Sequence, residues 1–264
     1  MFSIEIECPL EQNDMLIAEL WAEGSAGIVE LEGGRLRAFF EDSADRDALA
    51  VRFQAVTWRT EEQRDWVAES RANWDPLRVG ERFFLVPEWR DDVAPDGRFR
   101  IAVNPGMAFG TGRHETTQLC LEALETYVRP GTRVLDVGTG SGILAQAAAL
   151  LGAIPVWACD IDPEAVAIAR GNAGANVFVG SVDAVRTGVA GVIVANISPE
   201  TIAQLAPELM RCLRPGGAAL VSGFERDEAA AVEAKLKRQG GAVREARFKG
   251  SWALVVGGKL VGGV

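Results

Sequence analysis

Hydrophobic and polar positions change rhythm several times along this 264-residue chain. Residues 2–8 alternate as a half-buried strand does, and residues 10–23 return an apolar side chain every three or four positions, as one face of a helix does. Residues 27–31 and 36–40 alternate again on either side of Gly33-Gly34, which reads as a hairpin turn. A helix over 42–52 and an alternating run over 53–58 complete the series β-α-β-β-α-β, the split arrangement of a small ferredoxin-like α+β domain. Residues 61–74 then read as a polar helix with Trp66 and Trp74 on nearly one face, a spacing that suits domain-packing anchors. The pattern therefore predicts a small domain over 1–60, a helical linker over 61–76 and a larger domain over 77–264.

In the larger segment, strand-like runs at 82–86 and 99–103 flank a turn-rich stretch at 91–97. From residue 133 onward strands and helices alternate, with strands at 133–137, 155–159, 176–179, 191–196 and 217–222. A paired ending at 243–248 and 252–256 turns around Gly250. Seven strands with a terminal hairpin predict a Rossmann-like α/β domain, mostly parallel, with an antiparallel strand near one edge.

Composition narrows the function classes. A hydrophobic content of 48% supports real cores, while no apolar run is long enough to span a membrane. The start Met-Phe-Ser-Ile-Glu lacks the basic region and apolar core of a signal peptide, so a cytoplasmic protein is expected. Cys8, Cys120, Cys159 and Cys212 are widely spaced and accompany a single histidine, which argues against a disulfide framework and against a metal site. Residues 1–60 hold 12 acidic and 5 basic side chains, a net of −7 within the chain's −10. Such a module should repel nucleic acid and favour a basic partner.

The segment Val134-Leu-Asp-Val-Gly-Thr-Gly-Ser-Gly142 carries the candidate chemistry, because an apolar strand runs straight into glycines at alternate positions. Gly138, Gly140 and Gly142 allow a tight turn and let a ligand approach main-chain N–H groups as the next helix begins. A dinucleotide fingerprint would place glycine at 143, where this chain has Ile143, and a phosphate loop would add Gly-Lys-Ser/Thr, which is missing. Asp136 and the three glycines instead resemble the first motif of class I S-adenosylmethionine-dependent methyltransferases, in which an acidic residue sits beside the cationic aminoacyl end of the cofactor. Asp160 ends the next apolar strand about twenty residues on, where a carboxylate can accept both ribose hydroxyls. Asp162 before Pro163 reads as a helix N-cap.

Upstream, Asn104-Pro-Gly-Met-Ala-Phe-Gly-Thr-Gly-Arg-His-Glu-Thr-Thr117 forms a glycine-containing loop leading into a helix that runs to 128. Together with the glycine turn at 136–142, with Asn196 and with Arg214-Pro-Gly-Gly217, it resembles the PrmA family, the ribosomal protein L11 methyltransferases of bacteria. The resemblance covers residues 104 to the chain end, and the N-terminal segment agrees in length and topology more than in motif. It implies a class I methyltransferase domain preceded by a substrate-recognition domain. It also implies S-adenosylmethionine as methyl donor with S-adenosylhomocysteine as product, and a basic ribosomal protein of the large subunit as partner, methylated on lysine ε-amino groups and its terminal α-amino group. Carried over by position, the family's cofactor contacts fall on Thr117, Gly138, Asp160 and Asn196.

Read from the residues alone, Thr117 is also a plausible cap of its own helix, and His114 is either a general base or a residue that orients its loop. Ser181, after the strand at 177–179, lies where such enzymes meet the adenine, as does Asp183. Asn196 projects from the carboxyl edge of the sheet in Asn-Ile-Ser-Pro199, where amine methyltransferases often carry Asn-Pro-Pro-Tyr. Its amide can orient an attacking amine, or it can cap the helix that follows. Met107 and Phe109 could line the pocket. The expected reaction is direct attack of a neutral amine on the cofactor methyl. A small-molecule amine methyltransferase and a catalytically silent cofactor-binding interaction protein are the alternatives.

Overall fold

The computed structural model describes residues 1–7, 13–31, 34–53, 57–60, 75–104 and 112–260. Cys8, Gly33, the linker helix with Trp66 and Trp74, and Met107 with Phe109 lie outside the described residues. The chain divides into two units, Met1–Trp74 and Asp75–Val264.

The first unit runs β1 (Phe2–Glu7), α1 (Asn13–Ala22), β2 (Gly27–Leu31), β3 (Arg35–Phe40), α2 (Arg46–Phe53) and β4 (Thr57–Thr60). Its sheet has the order β2-β3-β1-β4 with every neighbouring pair antiparallel. Alternation puts Phe2, Ile4 and Ile6 of β1 on one face with Leu36, Ala38 and Phe40 of β3, where Leu20, Leu49 and Phe53 of the helices cover them. Full burial of a Leu, Ile or Phe side chain is worth about 1.5–3 kcal/mol, so this small core is a sum of few large terms. Phe53, expected at the head of a strand, is instead the last residue of α2, one turn after Leu49 on the same buried face. β4 correspondingly begins at Thr57.

The other face of this sheet is polar at its centre. Glu5, on the middle strand, is 3% exposed. Arg37 donates to it from Nε at 3.1 Å and from Nη2 at 2.5 Å, Arg35 lies at 3.4 Å and Arg59 at 3.2 Å. The excess negative charge of the unit lies elsewhere, at exposed positions such as Glu41, Asp45 and Asp47 around the start of α2.

The second unit opens with a three-stranded sheet, β5 (Leu77–Val79), β6 (Phe83–Pro87) and β7 (Phe99–Val103). β5 escaped the sequence pattern, since three residues are too few to show a period of two. α3 (Glu115–Tyr127) leads to β8 (Val134–Val137), α4 (Ile143–Leu150), β9 (Val156–Asp160), α5 (Pro163–Asn172) and β10 (Asn176–Val179). Then follow β11 (Ala190–Asn196), α6 (Pro199–Cys212), β12 (Leu213–Glu225), α7 (Ala229–Arg238), β13 (Gly241–Lys249) and β14 (Trp252–Lys259).

These seven strands form one sheet in the order β10-β9-β8-β11-β12-β14-β13. β8 to β12 are parallel and β14 is antiparallel to both neighbours, as a terminal hairpin requires. Because β8 and β11 are buried on both faces, their sequences are nearly continuous apolar runs. The order reverses between β8 and β11, and at such a switch point a crevice opens beyond the carboxyl ends of the strands. Among the described residues no helix is long and apolar enough to cross a membrane.

Candidate functional site

The glycine turn sits at that switch point. Gly138, Gly140 and Gly142 all have positive φ, at 71°, 52° and 83°. The N–H groups of Gly138 and Thr139 donate to the Cys159 carbonyl at 2.9 and 3.1 Å, tying the turn to β9. Gly142 is the left-handed N-cap of α4. A Cβ there would stand 3.0 Å from the Ala169 Cα of α5, so this glycine serves the packing of α5 against the turn. At Gly138 a Cβ would run into Cγ2 of Ile197, the residue after Asn196.

Asp136, the third residue of β8, is fully buried. Its Oδ2 accepts from the Thr139 hydroxyl at 2.7 Å and from the Ala145 N–H at 3.1 Å, joining the strand to the turn and to α4. Its Oδ1 is buried with no hydrogen-bond partner. Burial, with a smaller push from the Asp160 charge, drives its carboxyl up to about 7 against the two hydrogen bonds that oppose the shift.

Asp160 ends β9, half-buried. Its Oδ2 accepts from the Gly140 N–H at 2.9 Å and its Oδ1 from the Asp162 N–H at 3.1 Å, so the carboxylate braces the middle of the glycine turn and the start of the next loop. Asp162 caps α5, its side chain accepting from the Glu164 N–H at 2.8 Å, with Pro163 opening the helix. The Gly180 N–H donates to the Asp160 carbonyl at 2.8 Å, which brings Ser181 alongside. Ser181 precedes a one-turn 3-10 helix and its side chain makes no capping bond there, while Asp183 is exposed.

Asn196 ends β11, level with Ser222 of β12. It does not cap the following helix: that position belongs to Ser198, whose hydroxyl accepts from the Thr201 N–H at 3.3 Å. The Asn196 amide turns to α3, where its Nδ2 donates to the Thr117 hydroxyl at 3.3 Å. Thr117 is 2% exposed, so its side chain is spent on this contact rather than on its own helix terminus. The cap of α3 is His114, whose Nδ1 accepts from the Thr116 N–H at 3.4 Å and lies 2.7 Å from the Thr116 hydroxyl. The exposed imidazole packs edge-on against Trp252 at the start of β14, with centroids 4.5 Å apart.

Asp160, Gly138 and Asn196 therefore follow one another along adjacent strand ends, with Thr117 reaching Asn196 from α3. Sequence reasoning missed Ile197, Gly223 and Trp252. Gly223 had a signal, being a glycine inside an apolar strand pattern, which marks a bulge or a close backbone approach.

A glycine cradle that side chains would fill, a carboxylate at the second strand end and a buried acidic oxygen without a partner fit a ligand that pairs a ribose with a cationic group, as S-adenosylmethionine does. Comparison with known proteins agrees. The family described as "Ribosomal protein L11 methyltransferase (PrmA)" matches residues 6–259. A ribosomal protein L11 methyltransferase of Pelotomaculum thermopropionicum is 45% identical over 75% of this chain and 67% of its own length. One of Synechococcus elongatus is 33% identical over 97% of this chain and 95% of its own. The matched part spans about two thirds of the length of the more identical relatives. A crystal structure of a ribosomal protein L11 methylase from Lactobacillus delbrueckii subsp. bulgaricus superimposes with a TM-score of 0.65 at 30% identity, covering 71% of this chain and 98% of that one. With a match that runs almost end to end, and with the class I methyltransferase strand order, this chain belongs to the ribosomal protein L11 methyltransferase (PrmA) family.

Proposed function

We propose that this protein transfers methyl groups from S-adenosylmethionine to lysine ε-amino groups and the terminal α-amino group of ribosomal protein L11, in the cytoplasm. The observation that carries this reading is the meeting of the glycine turn, Asp160 and Asn196 on neighbouring strand ends, in a chain that matches the family from residue 6 to 259. When bound, S-adenosylmethionine supplies an electrophilic methyl on a sulfonium.

The chain's own residues then bind and orient. Gly138 and Gly140 offer main-chain surface without side chains, and Asp160 keeps lone pairs for ribose hydroxyls beyond those used on Gly140 and Asp162. Asp136, with its unpartnered Oδ1, would serve the cationic aminoacyl end, and Ser181 would serve the adenine. With its Nδ2 held by Thr117, Asn196 has its carbonyl oxygen left to accept a hydrogen bond from an amine and aim the nitrogen lone pair. A lysine in water has a pKa of about 10.4, so the site must favour the neutral amine by excluding water from it. His114, spent on capping α3 and on Trp252, holds the start of that helix in place and is not assigned the role of base. The acidic strip of the first unit, Glu41 to Asp47, is the surface offered to a basic client.

Two variants separate the halves of this reading. Asp160→Ala removes a charged acceptor, and cofactor affinity measured by calorimetry should fall by roughly 1.5–3 kcal/mol, about 10- to 150-fold. Asn196→Ala should lower the single-turnover methylation rate far more than it lowers cofactor affinity. Normal turnover in folded Asn196→Ala would return Asn196 to a structural role.

A further inference from the structure

Contacts from three elements converge on the Asn196–Ile197 segment. From the β12 side, the Ile197 N–H donates to the Ser222 carbonyl at 3.0 Å, and the fully buried Ser222 is held by its hydroxyl on the Ala253 carbonyl at 2.7 Å. The register slips between Ser222 and Phe224, and the residue in that bulge is Gly223 with φ +103°. A Cβ on Gly223 would collide with the Ile197 carbonyl oxygen and lie 2.8 Å from its carbonyl carbon and 2.9 Å from its nitrogen, all backbone atoms with no side chain to yield. From the β8 side, the Ile197 side chain lies against Gly138. From α3, Thr117 holds the Asn196 amide.

We infer that Gly223 and Ile197 form a latch that sets the position of Asn196 relative to the cofactor turn, with Gly223 as a positioning residue for the methyl transfer. The latch rests on the proposed role of Asn196. Gly223 lets β12 close onto the Ile197 backbone, and Ile197 in turn spans from β12 to the surface of Gly138. The side chain that orients the amine and the turn that cradles the cofactor are thereby referenced to each other through one residue. A side chain at 223 must push Ile197 outward, and a displacement near 1 Å in a positioned group lowers turnover by on the order of 100-fold.

The test uses the whole 264-residue chain, labelled S-adenosylmethionine and purified ribosomal protein L11. Gly223→Ala is expected to lower kcat about 10- to 100-fold while cofactor Kd stays within about twofold. Ile197→Ala, which keeps the backbone and removes the contact with Gly138 together with some packing on the core, should lower kcat several-fold, and Ile197→Val, which retains Cγ2, should restore it; this pair carries the test if Gly223→Ala does not fold. Because the latch acts through Asn196, Gly223→Ala should cost nothing further in the Asn196→Ala background. Wild-type kcat in folded Gly223→Ala, a loss confined to cofactor affinity, an Ile197→Val no better than Ile197→Ala, or an additive double variant overturns the latch. A slow Asn196→Ala beside a normal Gly223→Ala overturns the latch alone, whereas a normal Asn196→Ala overturns the role of Asn196 and the latch with it.

Discussion

Each unit of this protein buries a carboxylate on a middle strand of its sheet, and the two are treated in opposite ways. Glu5 of β1 is surrounded by Arg35, Arg37 and Arg59, and the Arg37 hydrogen bonds hold its carboxyl below the usual glutamate range. Asp136 of β8 has a hydroxyl and one amide on one oxygen and nothing on the other, and burial, with a smaller push from the Asp160 charge, drives its carboxyl up to about 7. The first unit balances its buried charge internally, which is what a structural ion network does. The second gives its buried carboxyl no balancing cation at a switch point, so the neutral form is favoured there, and perturbed carboxyls in such places mark sites completed by a ligand.

The largest expected effect comes from removing the titrating carboxyl that has no balancing cation. Folded Asp136 holds its proton to about pH 7, whereas the unfolded chain releases it near 3.8. Between those values the native state binds more protons, so this group's contribution to stability falls as pH rises and levels off above 7, with a slope of at most about 1.4 kcal/mol per pH unit. Asp136→Asn should flatten that decline in the thermal midpoint of the ligand-free protein measured from pH 4 to 7.5. Parallel curves for the two proteins would show that Asp136 is ionised in the native state. Glu5 should give the mirror image at smaller amplitude. Its stabilising contribution is present above about pH 4.5 and is lost as pH falls through its lowered native value. Glu5→Gln should cost about 1 kcal/mol in urea unfolding at pH 7, because two of its three arginines are about half exposed and regain water, and it should leave cofactor affinity unchanged. A loss of cofactor affinity in that variant would end the separation of roles between the units.

Much of this organisation is legible in the sequence, and the failures have physical causes. The parallel strands of the large sheet can be read because those buried on both faces are written as apolar runs punctuated by glycine and Asp-Pro, and the antiparallel pair β13 and β14 shows itself in the paired pattern around Gly250. β12 extends beyond its expected limits because its first residues, Arg214-Pro-Gly-Gly217, carry no strand pattern of their own. Phe53 was misplaced because an apolar residue at the end of a helix and one at the start of a strand look alike. At the site, Gly138, Asp160 and Asn196 declare themselves by their place at strand ends. The engagement of Thr117 by Asn196, 79 residues away, exists only in three dimensions, as does the clasp of Gly223 on Ile197. The net −7 of residues 1–60 is a true sum that conceals a basic cluster around Glu5.

The smallest expected effect follows from that last point. If a basic client meets the strip at the start of α2, Glu41→Lys with Asp45→Lys should raise the KM for ribosomal protein L11 several-fold, more at low salt than at high, because exposed charge is screened over about 8 Å at physiological ionic strength. The KM for the cofactor should not move. An unchanged KM for the ribosomal protein would assign the strip to solubility.

The central claim is that the Asp160–Gly138–Asn196 edge methylates amino groups of a ribosomal protein. Mass spectrometry of purified ribosomal protein L11 after incubation with this protein and S-adenosylmethionine tests it most directly. The account predicts mass increments of whole methyl groups on lysine side chains and the terminal amine, abolished or strongly reduced with Asn196→Ala. An unmodified ribosomal protein, in the presence of a folded chain that binds S-adenosylmethionine, would contradict it.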